Sequence, residues 1–153
     1  MKKTKKKAMM FSLLSGALGL LGFAACEEEK LEYGTPYTKF QVKGTVTSEA
    51  NEPLKGIQVI VRTGWDNNPM WADTLYTDEK GEFQTQELET VSIDEQKICF
   101  HDIDGEENGG TFKSDSIALA DMDMKRIEKG KGWYNGKYEI TPQAPIKLSK
   151  EEN

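Results

Sequence analysis

Between Lys43 and Phe83 the chain alternates apolar and polar residues in short runs that are separated by turn residues. The clearest run places Ile57, Val59 and Val61 at every second position. A period of two puts these side chains on one face of an extended strand, and that face must be buried against a second layer. The pattern therefore predicts an all-β fold built from two packed sheets.

Further short runs of this kind lie on both sides, at residues 40–46, 74–77, 96–100, 113–120 and 138–148. Asp78–Gly81 predicts a hairpin turn in which Gly81 takes a positive φ. Residues 122–127 fit either a helix or an extended segment. About seven short strands with turn residues between them favour an antiparallel Greek-key β-sandwich of the transthyretin-like or Ig-like kind.

Two segments, residues 63–71 and 130–136, contain glycine and asparagine, with a proline in the first, and are predicted to be loops. They carry the aromatic residues Trp65, Trp71, Trp133 and Tyr134. If the loops gather at one end of the sandwich, exposed rings there would form a binding platform. Capping of the core is the alternative, because tryptophan is highly buried on average.

The N-terminus has the order of a secretory signal peptide. Five lysines lie before residue 8, residues 8–25 are apolar or small, and no acidic residue precedes Glu27. An uncleaved anchor is the alternative, because the apolar run approaches the length that spans a bilayer. Three glycines within the run disfavour a long helix.

The sequence Phe23-Ala24-Ala25-Cys26 resembles a bacterial lipobox, with Phe23 where leucine is usual. The resemblance implies cleavage before Cys26, a diacylglyceryl group on its thiol and a fatty acid such as palmitate on the new amine. Several acyl chains give stable anchoring to a membrane. The acidic run 27–29 resembles the surface-export signal of lipoproteins in Bacteroidota, which implies display on the outer membrane at the cell surface. A solvated tether on the periplasmic face is the alternative.

Charge limits the partners of the processed chain. Without residues 1–25 it has 15 basic and 26 acidic residues, a net charge of −11. Nucleic acid and anionic membranes would both repel so acidic a domain. The predicted organisation is a signal peptide at 1–25, a lipidated tether at 26–38, the sandwich at 39–149 and a flexible tail at 150–153.

Cys99 is the second of two cysteines, so it has no disulfide partner within the chain once Cys26 is lipidated. On an extended strand Cys99 and His101 share one face. Packing as a small apolar group and modification of the thiol are the two readings. Catalysis by a thiol and its base is disfavoured, because no third group is at hand to orient the pair.

The segment 102–110 holds the sharpest chemical pattern in the chain. Asp102, Asp104, Glu106 and Asn108 supply hard oxygen ligands on a glycine-rich loop, a combination that suits Ca²⁺. The spacing departs from an EF-hand, because Gly105 comes too early and no glutamate closes the loop. An ordinary acidic turn is the alternative.

The pattern over Lys43–Phe83 resembles the carboxypeptidase-regulatory-like, transthyretin-like domain. Together with Glu32–Tyr37 and the segment 102–110, it is similar to a group of radical SAM-associated putative lipoproteins of Bacteroidota. This resemblance implies a fold, a cellular location and an association with a radical SAM enzyme. It brings no catalytic residues.

We expect a non-enzymatic, lipid-anchored module that binds a protein or glycan and needs no cofactor. One alternative is a substrate that the radical SAM enzyme modifies at Cys99 or within 102–110. Another is an adhesion module stabilised by Ca²⁺. Known hydrolase motifs do not occur: the chain has one histidine, no Gly-x-Ser-x-Gly and no His-Glu-x-x-His.

Overall fold

The computed structural model describes residues 34–65 and 68–152, and for residues 64, 65 and 68–72 it describes the backbone alone. Gly34–Asn153 form a compact unit of their own. The predicted signal peptide, the predicted lipidation site Cys26 and the acidic run lie outside the described residues. Within the described residues, no helix is both long and apolar enough to span a bilayer.

The described residues form ten strand segments and two short 3₁₀ turns. The strands in chain order are β1 (Tyr37–Ser48), β2 (Gln58–Trp65), β3 (Asn68–Tyr76), β4 (Glu82–Gln84), β5 (Leu88–Thr90), β6 (Lys97–His101), β7 (Asp115–Ala118), β8 (Asp123–Lys131), β9 (Tyr134–Thr141) and β10 (Ile146–Leu148). The 3₁₀ turns are Glu107–Gly109 and Leu119–Asp121. The segment at 122–127 is therefore extended.

The first sheet is built around β1. β4 and β5 pair with it antiparallel, one after the other along the chain, and β9 and β10 pair with it parallel. β8 then pairs antiparallel with β9. Each of the two flanking strands is thus broken in the middle, so the ten segments correspond to eight strands where about seven were predicted.

The second sheet has the order β3-β2-β6-β7 and is wholly antiparallel. The two sheets bury one apolar core between them, and the all-β sandwich is confirmed. The core side chains lie between residues 40 and 148: Phe40, Val42, Val46, Leu54, Ile57, Val59, Val61, Phe83, Leu88, Ile93, Ile98, Phe100, Phe112, Leu119, Met122, Ile140, Ile146 and Leu148. Gly34–Asn153 thus have an apolar core of their own, as expected of an independent domain.

One feature of the sandwich departs from the prediction, because the first sheet is mixed rather than antiparallel. β1 runs parallel to β9, with Val42 opposite Ile140, and parallel to β10, with Val46 opposite Ile146. Parallel strands need a crossover between them, and here the connection contains the whole second sheet together with β4, β5 and β8 of the first.

The prediction of a loop at 63–71 is wrong. β2 continues to Trp65 and β3 begins at Asn68, so this segment is the end of a long hairpin. A register shift follows Thr63, and Pro69 lies opposite Gly64 just beyond it. Proline is tolerated at such an irregularity on the edge strand of a sheet, so it did not mark a loop.

The loop predicted at 130–136 is also wrong, because a tight hairpin joins β8 to β9. Gly132 takes φ +61° at the first of two turn positions, which Gly132 and Trp133 occupy. A Cβ on Gly130 would lie 2.0 Å from the carbonyl oxygen of Tyr134, and one on Gly136 would lie 2.5 Å from that of Glu128. These glycines allow a close approach of paired strands and are not loop residues.

The turn at Asp78–Gly81 forms as predicted, with Gly81 at φ +73°. It does not close a hairpin, since β3 belongs to the second sheet and β4 to the first. The predicted tail also begins later than expected: Lys150 bridges to Phe112, and the N–H of Glu151 donates to the carbonyl of Thr111 at 2.9 Å.

The sandwich has two distinct ends. We call the end at which β1 begins the tether end; the β8–β9 turn lies there, because Tyr37 pairs with Tyr134. β2 begins beside the opposite, far end, where the N–H of Leu54 donates to the carbonyl of Val46. β2 therefore runs towards the tether end, and so does the end of the β2–β3 hairpin.

Candidate functional site

A groove of about 600 Å³ opens on the first sheet at the place where β9 ends and β10 begins. This volume is within the range of small-ligand sites. The connection 142–145 bulges away from β1 there, between the pairs Val42–Ile140 and Val46–Ile146. The lining residues are Lys43, Gly44, Thr45, Asp78, Glu82, Phe83, Gln84, Thr141, Pro142, Gln143, Ala144 and Pro145.

The floor of the groove is tightly packed around Gly44. A Cβ at this position would lie 3.0 Å from Cγ of Pro142 and 3.1 Å from Cε1 of Phe83. The Phe83 ring is 4% exposed and packs edge-on against Phe100, with ring centroids 5.8 Å apart. Such a floor is rigid, because neither the proline ring nor the buried phenylalanine has room to move.

The charged groups of the groove are largely satisfied within the protein. Lys43 Nζ lies 2.8 Å from Oε2 of Glu139, and this bond holds the pKa of Glu139 below its usual value. Asp78 Oδ1 accepts backbone N–H bonds from Lys80 at 2.8 Å and Glu82 at 2.9 Å. Lys43 and Asp78 thus have partners before any ligand arrives, and the exposed Glu82 adds a further carboxylate to the lining.

Neutral polar groups complete the walls. The Gln143 amide donates only a long bond of 3.4 Å, to Asp123 Oδ1. The side chains of Thr45 and Gln84 make no hydrogen bond to other residues that the structure describes. These amide and hydroxyl groups can both donate and accept hydrogen bonds. The groove suits a ligand that has many hydrogen-bonding groups and no net charge.

The structure describes the side chains of two of the four predicted binding aromatics and only the backbone of the other two. Tyr134 stacks on Tyr37 with centroids 5.3 Å apart, and burial raises the pKa of Tyr134. Trp133 is 39% exposed in the β8–β9 turn. Trp65 and Trp71 lie on β2 and β3, whose hairpin ends at the same tether end. Their side chains lie outside the described residues, so a shared platform stays a prediction.

Cys99 lies on β6 as a free, half-buried thiol. Its neighbours Ile98 and Phe100 are fully buried, so Cys99 and His101 face outward together as predicted. His101 uses Nδ1 in a 2.9 Å hydrogen bond with the Ser114 hydroxyl. This face belongs to the second sheet, whereas the groove lies on the first sheet.

The acidic segment at 102–110 is organised by hydrogen bonds of its own. Asp102 Oδ2 accepts the N–H of Phe112 at 2.9 Å, and Asp104 accepts a bond from the amide of Asn108. Glu106 is exposed. In the described part of the chain, no group of three or more His, Cys, Asp or Glu side chains is arranged to hold a metal. The Ca²⁺ site stays a prediction.

A charge network on the first sheet was missed in the sequence. Glu87 lies 2.8 Å from Lys39 and 2.6 Å from Lys137, and hydrogen bonds from Lys137 and then Lys39 lower the pKa of Glu87 to about 2. The three residues come from the β4–β5 connection, β1 and β9. No sequence signal could have paired them, because the parallel register of β1 and β9 was not foreseen.

Comparisons with known proteins add little. No family model and no curated protein matches the chain. Among solved structures it is similar to the major plantain pollen allergen Pla l 1, at 13% identity and a TM-score of 0.34, over 76% of this chain and 94% of that one. So low a TM-score says nothing about the site. The radical SAM-associated lipoprotein family therefore stays a prediction.

Proposed function

We propose that this chain is a non-enzymatic, lipid-anchored binding module of the outer membrane, displayed at the cell surface. Its ligand is a neutral, hydroxyl-rich molecule such as an oligosaccharide, held in the groove beside Gly44. The observation that carries the proposal is the groove, a 600 Å³ concavity with a rigid apolar floor and walls in which neutral polar side chains stand beside Lys43, Asp78 and Glu82. The anchor is supported by the order of the N-terminal sequence, from basic residues to the lipobox cysteine Cys26.

The chemistry of the lining favours a sugar over a charged ligand. Lys43 and Asp78 already have partners within the protein, so a strongly charged ligand would have to displace them. Sugar hydroxyls instead match the amides of Gln84 and Gln143. Proline rings at the floor and rim offer apolar surface to the C–H faces of a sugar.

A binding role is favoured over catalysis by the same lining. It contains neither histidine nor cysteine, the two side chains that most readily exchange protons or attack carbonyls near neutral pH. The chain's one histidine, His101, lies on the other sheet.

The proposal is tested by blocking the groove from its rim. Residues 27–153 would be applied to an array of neutral and acidic oligosaccharides, beside the variant Ala144→Trp, in which an indole would fill the space that Ala144 borders. We expect neutral ligands to bind and the variant to lose at least about tenfold in affinity, since displaced contacts worth 1.4 kcal/mol give that factor.

The matched control is Ala120→Trp, which adds the same ring at an exposed position outside the groove. Its ligand affinity should equal that of the unchanged protein. If neutral sugars bind only to proteins in which Ala144 is unchanged, the groove is supported as the binding site. Equal binding by both variants, or a preference for acidic sugars, would count against it.

A second candidate is modification by an associated radical SAM enzyme. The favouring observation is Cys99, whose half-buried thiol stands on the outer face of the second sheet and is open to an enzyme. In this case the chain would be a substrate or cargo, and the mass of Cys99 in its native host distinguishes the two functions.

A further inference from the structure

The β8–β9 tip, residues Lys129–Trp133, differs in charge from the rest of the domain. It contains two lysines, a tryptophan and two glycines and has no acidic residue, although the chain beyond residue 25 has a net charge of −11. Lys129 and Lys131 are exposed, and Trp133 is 39% exposed. Exposed lysine beside tryptophan is the composition that proteins use at the headgroup level of a membrane.

The first described residues of the chain lie beside this tip. The N–H of Tyr37, the first residue of β1, donates to the carbonyl of Trp133 at 2.9 Å. Three residues earlier, a Cβ on Gly34 would lie 3.6 Å from Cδ1 of the Trp133 ring. The strand that follows the tether thus begins in contact with the tip.

The length of the tether keeps the tip close to any lipid on Cys26. Cys26 and Gly34 are eight residues apart. A fully extended chain of that length spans about 26–29 Å at most. A tip tethered over so short a distance has a high effective concentration at the membrane surface, so weak contacts suffice to hold it there.

The far end of the sandwich carries the opposite charge. Its three loops, residues 49–55, 78–82 and 102–110, hold nine acidic residues and two lysines. The tether end is mixed in charge, because Glu89 of β5 and the exposed Asp94 and Glu95 that follow it lie there with the basic tip, so the far end is the more acidic of the two. An anionic surface attracts the tip and repels the far end, and both effects favour the same orientation.

We propose that the β8–β9 tip docks on an anionic lipid surface, with Trp133 at the level of the headgroups and Lys129 and Lys131 against the lipid phosphates. The inference rests on the proposed function in one respect, since Cys26 supplies the anchor. It adds an orientation: β1 rises from the membrane, and the groove near Thr45 is held about 26 Å above the start of that strand, because eight residues at about 3.3 Å separate Tyr37 from Thr45.

The experiment supplies the anchor chemically. A chain of residues 26–153 with Cys99→Ser has Cys26 as its one thiol, and this thiol is coupled to a maleimide lipid in vesicles. Trp65→Phe and Trp71→Phe leave Trp133 as the one tryptophan. Its fluorescence is measured with brominated lipids as quenchers, in phosphatidylcholine and in equal parts of phosphatidylcholine and phosphatidylglycerol.

We expect Trp133 to be quenched in the anionic vesicles and much less in the neutral ones. Lys129→Glu with Lys131→Glu should reduce the ratio of docked to undocked protein about thirtyfold or more, because each lysine near such a surface contributes about 1 kcal/mol. High salt should weaken docking in the same direction.

The matched control is Lys113→Glu with Lys147→Glu, two exposed lysines away from the tip that change the net charge equally. Quenching in this variant should match that of the parent protein. Equal losses in both double variants, or no quenching in anionic vesicles, would overturn the proposal. Mass spectrometry of Cys26 from the native host tests the lipid anchor separately, so failure of the proposed function is distinguishable from failure of docking.

Discussion

The carboxylate of Asp73 and the backbone N–H of Gln86 join the two sheets through a 3.1 Å hydrogen bond. Asp73 belongs to β3 at the edge of the second sheet, and Gln86 lies between β4 and β5 of the first. The carboxylate is 9% exposed and also accepts a longer bond of 3.4 Å from the Gln86 amide. This polar link closes one side of an otherwise apolar interface.

Asp73→Ala should destabilise the domain by about 1–3 kcal/mol, because the N–H of Gln86 would lose its partner. Chemical denaturation of residues 27–153 measures this loss as a lower midpoint. Thr74→Ala, at the exposed neighbouring position, is the control and should shift the midpoint far less. Similar shifts in both variants would mean that the link contributes nothing specific.

Gly81→Ala should destabilise the domain more than Gly105→Ala. Both glycines have φ values near +70°, which costs a residue with a Cβ about 1–2 kcal/mol. A Cβ on Gly81 would also lie 2.3 Å from the carbonyl oxygen of Val46, whereas one on Gly105 would meet nothing within 4 Å. The difference between the two melting temperatures isolates the clash from the backbone conformation.

Acid should remove the stabilisation that Glu87 provides. Its pKa is lowered to about 2 in the folded domain from an ordinary value of 4.5. Because the folded pKa is the lower one, the contribution is complete above pH 4.5 and is lost as the pH falls towards 2. Glu87→Gln should flatten the dependence of stability on pH in this window. Glu49→Gln, at an exposed position, should leave the slope unchanged.

The calcium hypothesis predicts that Ca²⁺ raises the melting temperature of the domain and that a chelator lowers it again. Asp104→Asn should abolish the shift, since a ligand charge is lost from the segment 102–110. Asp121→Asn, an exposed carboxylate elsewhere, should retain it. If neither Ca²⁺ nor the chelator changes the melting temperature, the segment is an acidic turn that is held by its own hydrogen bonds.

Peptide mass spectrometry on protein extracted from its native membranes should find Cys26 with a diacylglyceryl thioether and an acylated amine, and Cys99 unchanged, if the chain is a binding module. A mass change at Cys99 or within 102–110 would instead identify a substrate of an associated enzyme. The parallel control is the same protein from cells that lack the radical SAM enzyme, in which any such change should disappear.

The buried faces of β1, β2 and β6 were predictable, because apolar residues at every second position determine which side of a strand is covered. The pairing of the strands was harder to predict from the sequence. Residues 37–42 and 134–140 carry no local signal for a parallel register, so the mixed sheet and the Lys39–Glu87–Lys137 network appeared only in the structure. Local composition also predicted loops where the structure has two hairpins. In the β8–β9 hairpin, Gly130 and Gly136 allow the paired strands to approach closely.

The groove could not be predicted from local patterns. It exists because β9 stops pairing with β1 opposite Val42, and β10 begins to pair with β1 opposite Val46. Pro142 and Pro145 lie in the connection between β9 and β10. In the sequence these prolines mark a break in a strand and carry no sign of a concavity. The glycine at position 44 was likewise visible as a gap in the apolar alternation, but its neighbours Pro142 and Phe83 were not.

The parallel pairing of β1 with β9 and β10 has a consequence for biogenesis. The first strand of the domain finds partners in the last ones, about a hundred residues later in the chain. Contacts so distant in sequence form slowly. An exported chain emerges from the translocation machinery with its N-terminus first, so β1 must wait for the C-terminus before its sheet is complete. On the proposal that Cys26 is acylated, this modification would be finished on an unfolded chain, and the domain would close only after it is attached to its membrane.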